Sequence, residues 1–369
     1  MKKGVSLLVC LVLFCLFGSA RCAAESLIDR TAEVTGLSEL DGAFSQAARD
    51  VTGTLTLDGS YDTQGALARL WQRVHAELRE RFRAELAFSL RLAALPILCA
   101  LAEAMTGQKS AKEAISLAAC CAAAVFFLSD WESGYRQAID TLTSLSDYSR
   151  AALPVLYTAA AASGAVGSAP LKYAASCLAI EVMMTLSRRL VLPLIESYLA
   201  LALCACVCEN SLIAALTRLV KYAAVTVMSA VSSGFCLYIG LTGLVAGSTD
   251  AAAVKAARTV IASVLPVVGG ILSDSAASIL AAAGVVRSTA GVFALIALAT
   301  LCSGPFVFLL LKMLLLRAVS TLAELLPGGR LSRLLEQFGS AFGMLLGLLG
   351  GNGLMLFFSL MAGMKAVAV

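Results

Sequence analysis

Three ionisable residues stand inside runs that are otherwise apolar: Arg91, Glu181 and Glu196. A charge at membrane depth is expensive and usually faces a partner or a water-filled cavity. The chemistry open to such a group is movement of an ion or proton. Glu181 and Glu196 are therefore candidates for a transport or pore role. Arg91 lies close to a helix end, where its long side chain can snorkel to water. Glu196 lies near Arg189 at a possible helix break.

Other chemistries lack their residues. His75 is the single histidine, and none of the 12 cysteines forms a Cys-x-x-Cys pair. Zinc and iron–sulfur sites are not expected. The cysteines beyond the first three lie in apolar segments and read as small packing residues. There is no Gly-x-x-x-x-Gly-Lys-Ser/Thr phosphate loop and no His-Glu-x-x-His pair. A Ser/His/Asp enzyme would need His75, far from any Gly-x-Ser-x-Gly turn. The expectation is a protein that is not an enzyme and needs no cofactor.

The elements that must position the charges are apolar. The chain has 369 residues, 14% charged, with a net charge of +4. Its mean hydropathy is +0.87. Soluble domains carry about 25% charged residues. An all-α, polytopic membrane protein follows, with about 6–8 transmembrane helices and interfacial or re-entrant helices besides. The charge is too small and scattered for nucleic acid.

Residues 1–24 read as a signal peptide: Lys2 and Lys3, an apolar run from Val5 to Phe17, then small residues. The alternative is an uncleaved anchor helix. Residues 25–85 form an exported hydrophilic region ending in an amphipathic helix. Leu67, Leu70, Trp71, Val74, Leu78 and Phe82 form its apolar face. The membrane domain spans 86–369. Its apolar segments lie at about 86–105, 113–128, 151–168, 172–187, 190–208, 222–247, 290–312 and 341–363.

A count of crossings from an exported start puts Lys109, Lys112, Lys172, Arg218, Lys221, Lys312, Arg317, Arg330 and Arg333 inside, as positive charge prefers. Arg188 and Arg189 fall outside and break the pattern. Residues 129–150 and 248–289 also fall outside. The first has Trp131, Tyr135, Ile139, Leu142 and Leu145 on one face, as an interfacial helix would.

Near the C-terminus, "GSAFGMLLGLLGGNG" repeats glycine every fourth residue at Gly339, Gly343, Gly347 and Gly351. In lipid, small residues at that spacing let helices approach closely. The stripe reads as a packing face toward another helix of this chain or a neighbouring subunit. The GGNG end is also a breaker signal.

Residues 255–291 read "KAARTVIASVLPVVGGILSDSAASILAAAGVVRSTAG". Pro266 with Gly269 and Gly270 indicates a break, and Ser273 or Asp274 could cap a second helix. A helix–break–helix of this kind suits an interfacial or re-entrant element, or a plain surface hairpin.

Arg258–Thr259, "VLPVVGGILSDS", Arg287 and Gly291 resemble the stage III sporulation protein AE family of endospore-forming bacteria. "LPVLYTAAAASG" (153–164), "LVLPLIESYLAL" (190–201) and "LPGG" (326–329) match it in order. The resemblance makes Arg258, Pro266, Gly269, Gly270, Asp274 and Arg287 the motif to watch as a pore or re-entrant element. It implies a membrane component of a channel or feeding-tube complex linking mother cell and forespore. The implied location is the mother-cell membrane around the forespore. The implied partners are the other stage III A proteins, one a secretion-type ATPase, and a forespore membrane protein. The alternative is an independent secondary transporter or permease for an unknown solute, supported by Glu181 and Glu196.

Overall fold

The computed structural model describes residues 63–162, 169–208, 210–235, 269–326 and 329–364. The signal peptide, residues 25–62, Arg258 and Pro266 lie outside them. Every regular element among the described residues is helical. These are α1 (Thr63–Ala104), α2 (Lys109–Ala162), α3 (Ala169–Leu186), a π segment (Ser187–Val191), α4 (Leu192–Cys208), α5 (Ser211–Phe235), α6 (Gly269–Glu324) and α7 (Gly329–Met364). Six stretches are long and apolar enough to cross a membrane, α3 through α4 counting as one. The polytopic helical fold is as expected, with six candidate spans among the described residues.

Several expected breaks are absent. The amphipathic stretch before residue 86 and the first apolar segment form one helix, α1. Residues 113–128, 129–150 and 151–162 form one helix of 54 residues, about 80 Å long at 1.5 Å per residue. The stretch 129–150 is therefore not a separate interfacial helix. Its Trp131, Leu142 and Leu145 are buried in the bundle core, where neighbouring helices remove more apolar surface than an interface could. The helix α6 starts at Gly269, before Ser273 and Asp274, and runs unbroken past 290 to Glu324. GGNG lies inside α7 without ending it.

The expected break near Pro193 is instead a π segment. Pro193 has no N–H and its ring crowds the carbonyl four residues back. The Leu192 N–H bonds the Ser187 carbonyl, so the chain widens by one residue just before the proline. Helix direction is kept through Arg188 and Arg189. These two arginines lie within a helical stretch, not in a loop between spans.

Contacts set the packing directions. Gly304 faces Glu77, Arg81 lies over the Phe308 ring and Lys312 meets Glu85, so α1 and α6 run parallel. Lys312 bonds Asp130 and the Tyr148 hydroxyl donates to the Ala294 carbonyl, so α2 runs antiparallel to α6. The core lies along α7. Phe127 stacks on Phe338 with centroids 3.5 Å apart, and Phe342 meets Trp131 edge-on. A Cβ on Gly134 would stand 2.6 Å from the Phe342 ring, so α2 and α7 approach this closely only because residue 134 has no side chain.

Candidate functional site

The most deeply placed charge among the described residues is Lys312 on α6, whose side chain is 3% exposed. It interrupts the apolar run from Pro305 to Leu316. Its ammonium pairs with the Glu85 carboxylate of α1 and donates to Asp130 Oδ1 of α2 at 2.6 Å. The Phe88 ring lies 4.2 Å from Nζ and the Phe308 ring 5.6 Å. An ammonium has three donors. Two carboxylates and an aromatic face meet them and take the place of the water that burial removes.

Geometry concentrates negative charge here. Both carboxylates touch one nitrogen, so they lie within about 5 Å of each other and, both ionised, repel by about 3 kcal/mol at an effective dielectric of about 20. Asp130 Oδ2 is buried with no hydrogen-bond partner. One turn up α1, Arg81 lies half-buried with its guanidinium 5.4 Å from the Phe308 ring centre. One turn further, Glu77 pairs loosely with Arg73 and meets Gly304, where an added Cβ would stand 3.1 Å from Oε2. Arg73, Glu77, Arg81 and Glu85 recur every fourth residue, so one face of α1 carries them toward α6. Meanwhile Trp71, Leu78, Phe82 and Leu86 are exposed. Thus much of the apolar face read from the sequence turns outward, and charged residues between its positions turn in.

A second polar contact joins α7 to the π segment. Asn352 Nδ2 donates to the Ser187 hydroxyl at 2.9 Å and to the Leu348 carbonyl at 2.8 Å. Arg188 donates to the Leu142 carbonyl at 2.9 Å. Widening the helix at 187–191 presents Ser187 to Asn352 and Arg188 to α2.

The charges singled out from the sequence lie elsewhere. Glu181 of α3 pairs with Arg150 of α2 at 3.2 Å, both largely exposed. Glu196 is exposed on α4 and Arg91 on α1. Among the described residues no ion pair joins these three to one another. Gly269, Gly270, Asp274 and Arg287 all fall on the backbone of α6, in its first half. Along the glycine stripe, a Cβ on Gly339 would meet Arg317 at 3.3 Å and one on Gly343 would meet Met313 at 3.2 Å, both on α6. One on Gly347 would meet Met228 at 3.0 Å and one on Gly351 would meet Ser232 at 3.8 Å, both on α5. Sequence reading passed over Glu85 and Asp130 and took Lys312 for a flanking inside charge. The signal was available: Lys312 has Leu309–Leu311 before it and Leu314–Leu316 after it, so it does not mark the end of an apolar run.

Searches of curated proteins and of solved structures found no match. The family model for stage III sporulation protein AE matches residues 54–366, which takes in all seven helices. The chain therefore belongs to the stage III sporulation protein AE family.

Proposed function

We propose that this protein is a membrane component of the stage III sporulation complex that joins mother cell and forespore, seated in the mother-cell membrane. The observation that carries this reading is the family match over 54–366. Partners are the other stage III A proteins, including the secretion-type ATPase, and a forespore membrane protein. Its role is structural or channel-forming, not enzymatic.

A feature of the surface supports assembly. Glu132, Arg136, Arg150 and Glu181 are exposed. The Lys312–Asp130 and Tyr148–Ala294 contacts put the α2 members of this group level with the apolar part of α6. Hydrocarbon cannot solvate such a face; neighbouring protein or water can.

A second reading, a secondary transporter, draws on the buried Lys312 cluster, since ionisable groups inside a bundle mark many ion pathways. A deletion strain separates the two. Arrest after engulfment, with loss of other complex proteins from the septum, supports the first. Normal sporulation with loss of uptake of one solute overturns it in favour of the second.

A further inference from the structure

We propose that two copies of this chain dock side by side in the membrane, the charged edge of α1 in one copy against the polar face of α2 in the other. From Ser129 to Arg150 every exposed residue of α2 is polar, whereas from Cys121 to Leu128 every exposed residue is apolar. The exposed side of α1 is divided along its length. Trp71, Leu78 and Phe82 form one edge, and His75, Arg79 and Arg83 the other. Both polar faces stand level with the uncharged stretch of α6 from Gly291 to Leu311, where an outward charge needs a partner. Within one copy, His75, Glu80, Arg83 and Asp140 form no ion pair with any described residue.

Register identifies the occupant as a second copy. Lys312 ties Glu85 to Asp130, and α1 and α2 run antiparallel from that point. Residues equally far before Glu85 and after Asp130 therefore share one depth, at about 1.5 Å per residue. The levels still agree at the far end: Ile296 packs with Leu70, and nearby Ala294 accepts from the Tyr148 hydroxyl. Arg83 and Glu132 each lie two residues from the tie, His75 and Asp140 each ten, and Glu80 and Arg136 five and six. Each level thus sets a cation or an imidazole N–H against a carboxylate. Arg79 shares its level with Arg136 but lies one turn from Glu132 and from Asp140, within reach of a long side chain. A rotation axis parallel to the helices keeps every residue at its depth, so it brings α1 of one copy to α2 of the next with these levels intact. The Glu132–Arg136 bridge is exposed, hence weak, and opens to take Arg83 and Glu80 across the contact. An unrelated partner would have to repeat this spacing, whereas a second copy already carries it.

This inference concerns contact between copies of the chain and does not rest on the sporulation partners. The test is disulfide cross-linking of the full-length chain in its own membranes, with the native cysteines replaced. Two single-cysteine chains of different tag size are co-expressed, one with His75→Cys and one with Asp140→Cys. Mild oxidation should give a band at the summed mass of the two chains that reduction removes. Arg83→Cys with Glu132→Cys should do the same. Arg83→Cys with Asp140→Cys is eight residues out of level. It should link about ten-fold less, because a disulfide needs Cα atoms within about 7 Å. Arg83→Glu on both chains should lower the 75–140 link several-fold, and adding Glu132→Arg should restore it. No summed-mass band from either in-register combination, equal linking out of register, or links only to a different protein would overturn the proposal. All the substituted residues are exposed, and immunoblot of the membrane fraction checks that each variant accumulates. Should one combination fail to accumulate, the other in-register combination gives the decision.

Discussion

At the scale of the residue, Lys312 shows how an apolar helix tolerates a charge. Its donors are met from two other helices and two rings, so α1, α2 and α6 must all be in place before the lysine is stable. Removing one partner of a buried ion pair costs about 3–5 kcal/mol, whereas replacing the whole group can cost far less. Lys312→Met alone is expected to lower the folded yield and melting temperature sharply. The triple variant Lys312→Met, Glu85→Gln, Asp130→Asn is expected to recover most of the loss, as read by thermal unfolding in detergent. Asn352 is a smaller case. Interhelical polar contacts in membranes are worth about 0.6 kcal/mol on average. Asn352→Leu should therefore destabilise only modestly, and combining it with Ser187→Ala should add little further loss, because both changes remove one contact.

At the scale of the element, the glycines act through approach distance. The stripe on α7 is shared between two neighbours, α6 at Gly339 and Gly343 and α5 at Gly347 and Gly351. Gly343→Leu and Gly347→Leu are expected to reduce membrane levels of the protein, measured by immunoblot of the membrane fraction. Gly134→Leu is expected to be worse, because the Phe342 ring already occupies the place of its Cβ. Gly107→Leu, with nothing near its Cβ, is the control and should match wild type. The lengths of the elements were the least legible feature of the sequence. Breaks were expected at charged stretches, at Pro193 and at GGNG. A helix can run on through a charged stretch where it buries one face and exposes the other, as α2 does with Leu142 and Arg136. A proline likewise need not end a helix that can widen before it.

At the scale of the whole molecule, fusing the expected segments changes the crossing count in a compensating way. One crossing is lost in α2 and one in α3–α4. The inside and outside assignments from α5 onward are therefore unchanged, whereas Lys172, at the start of α3, moves from the inside to the outside. Arg188 and Arg189, which broke the positive-inside pattern as a loop, now lie within a helical stretch and no longer count. Starting from an exported N-terminus, the α1–α2, α4–α5 and α6–α7 turns fall on the cytoplasmic side. Gly107→Cys in a cysteine-poor background should be protected from an impermeant thiol reagent in intact cells. Ser248→Cys should be labelled. Labelling of the first with protection of the second would reverse the orientation.

Composition and apolar run length by themselves determined that this is a helical membrane protein, because lipid admits few other backbones. The motif around residues 255–291 pointed to its family by resemblance. What only the tertiary structure decided is which charges meet. Glu181 and Glu196 look isolated in the sequence yet lie exposed, while the buried Glu85 and Lys312 and the part-buried Asp130 meet from three helices. The physical reason is rotation. Hydropathy averages a helix over its whole circumference, so it reports depth and length but not azimuth. Only packing against α6 turns the Glu77–Glu85 face of α1 inward and leaves Trp71 and Phe82 outside.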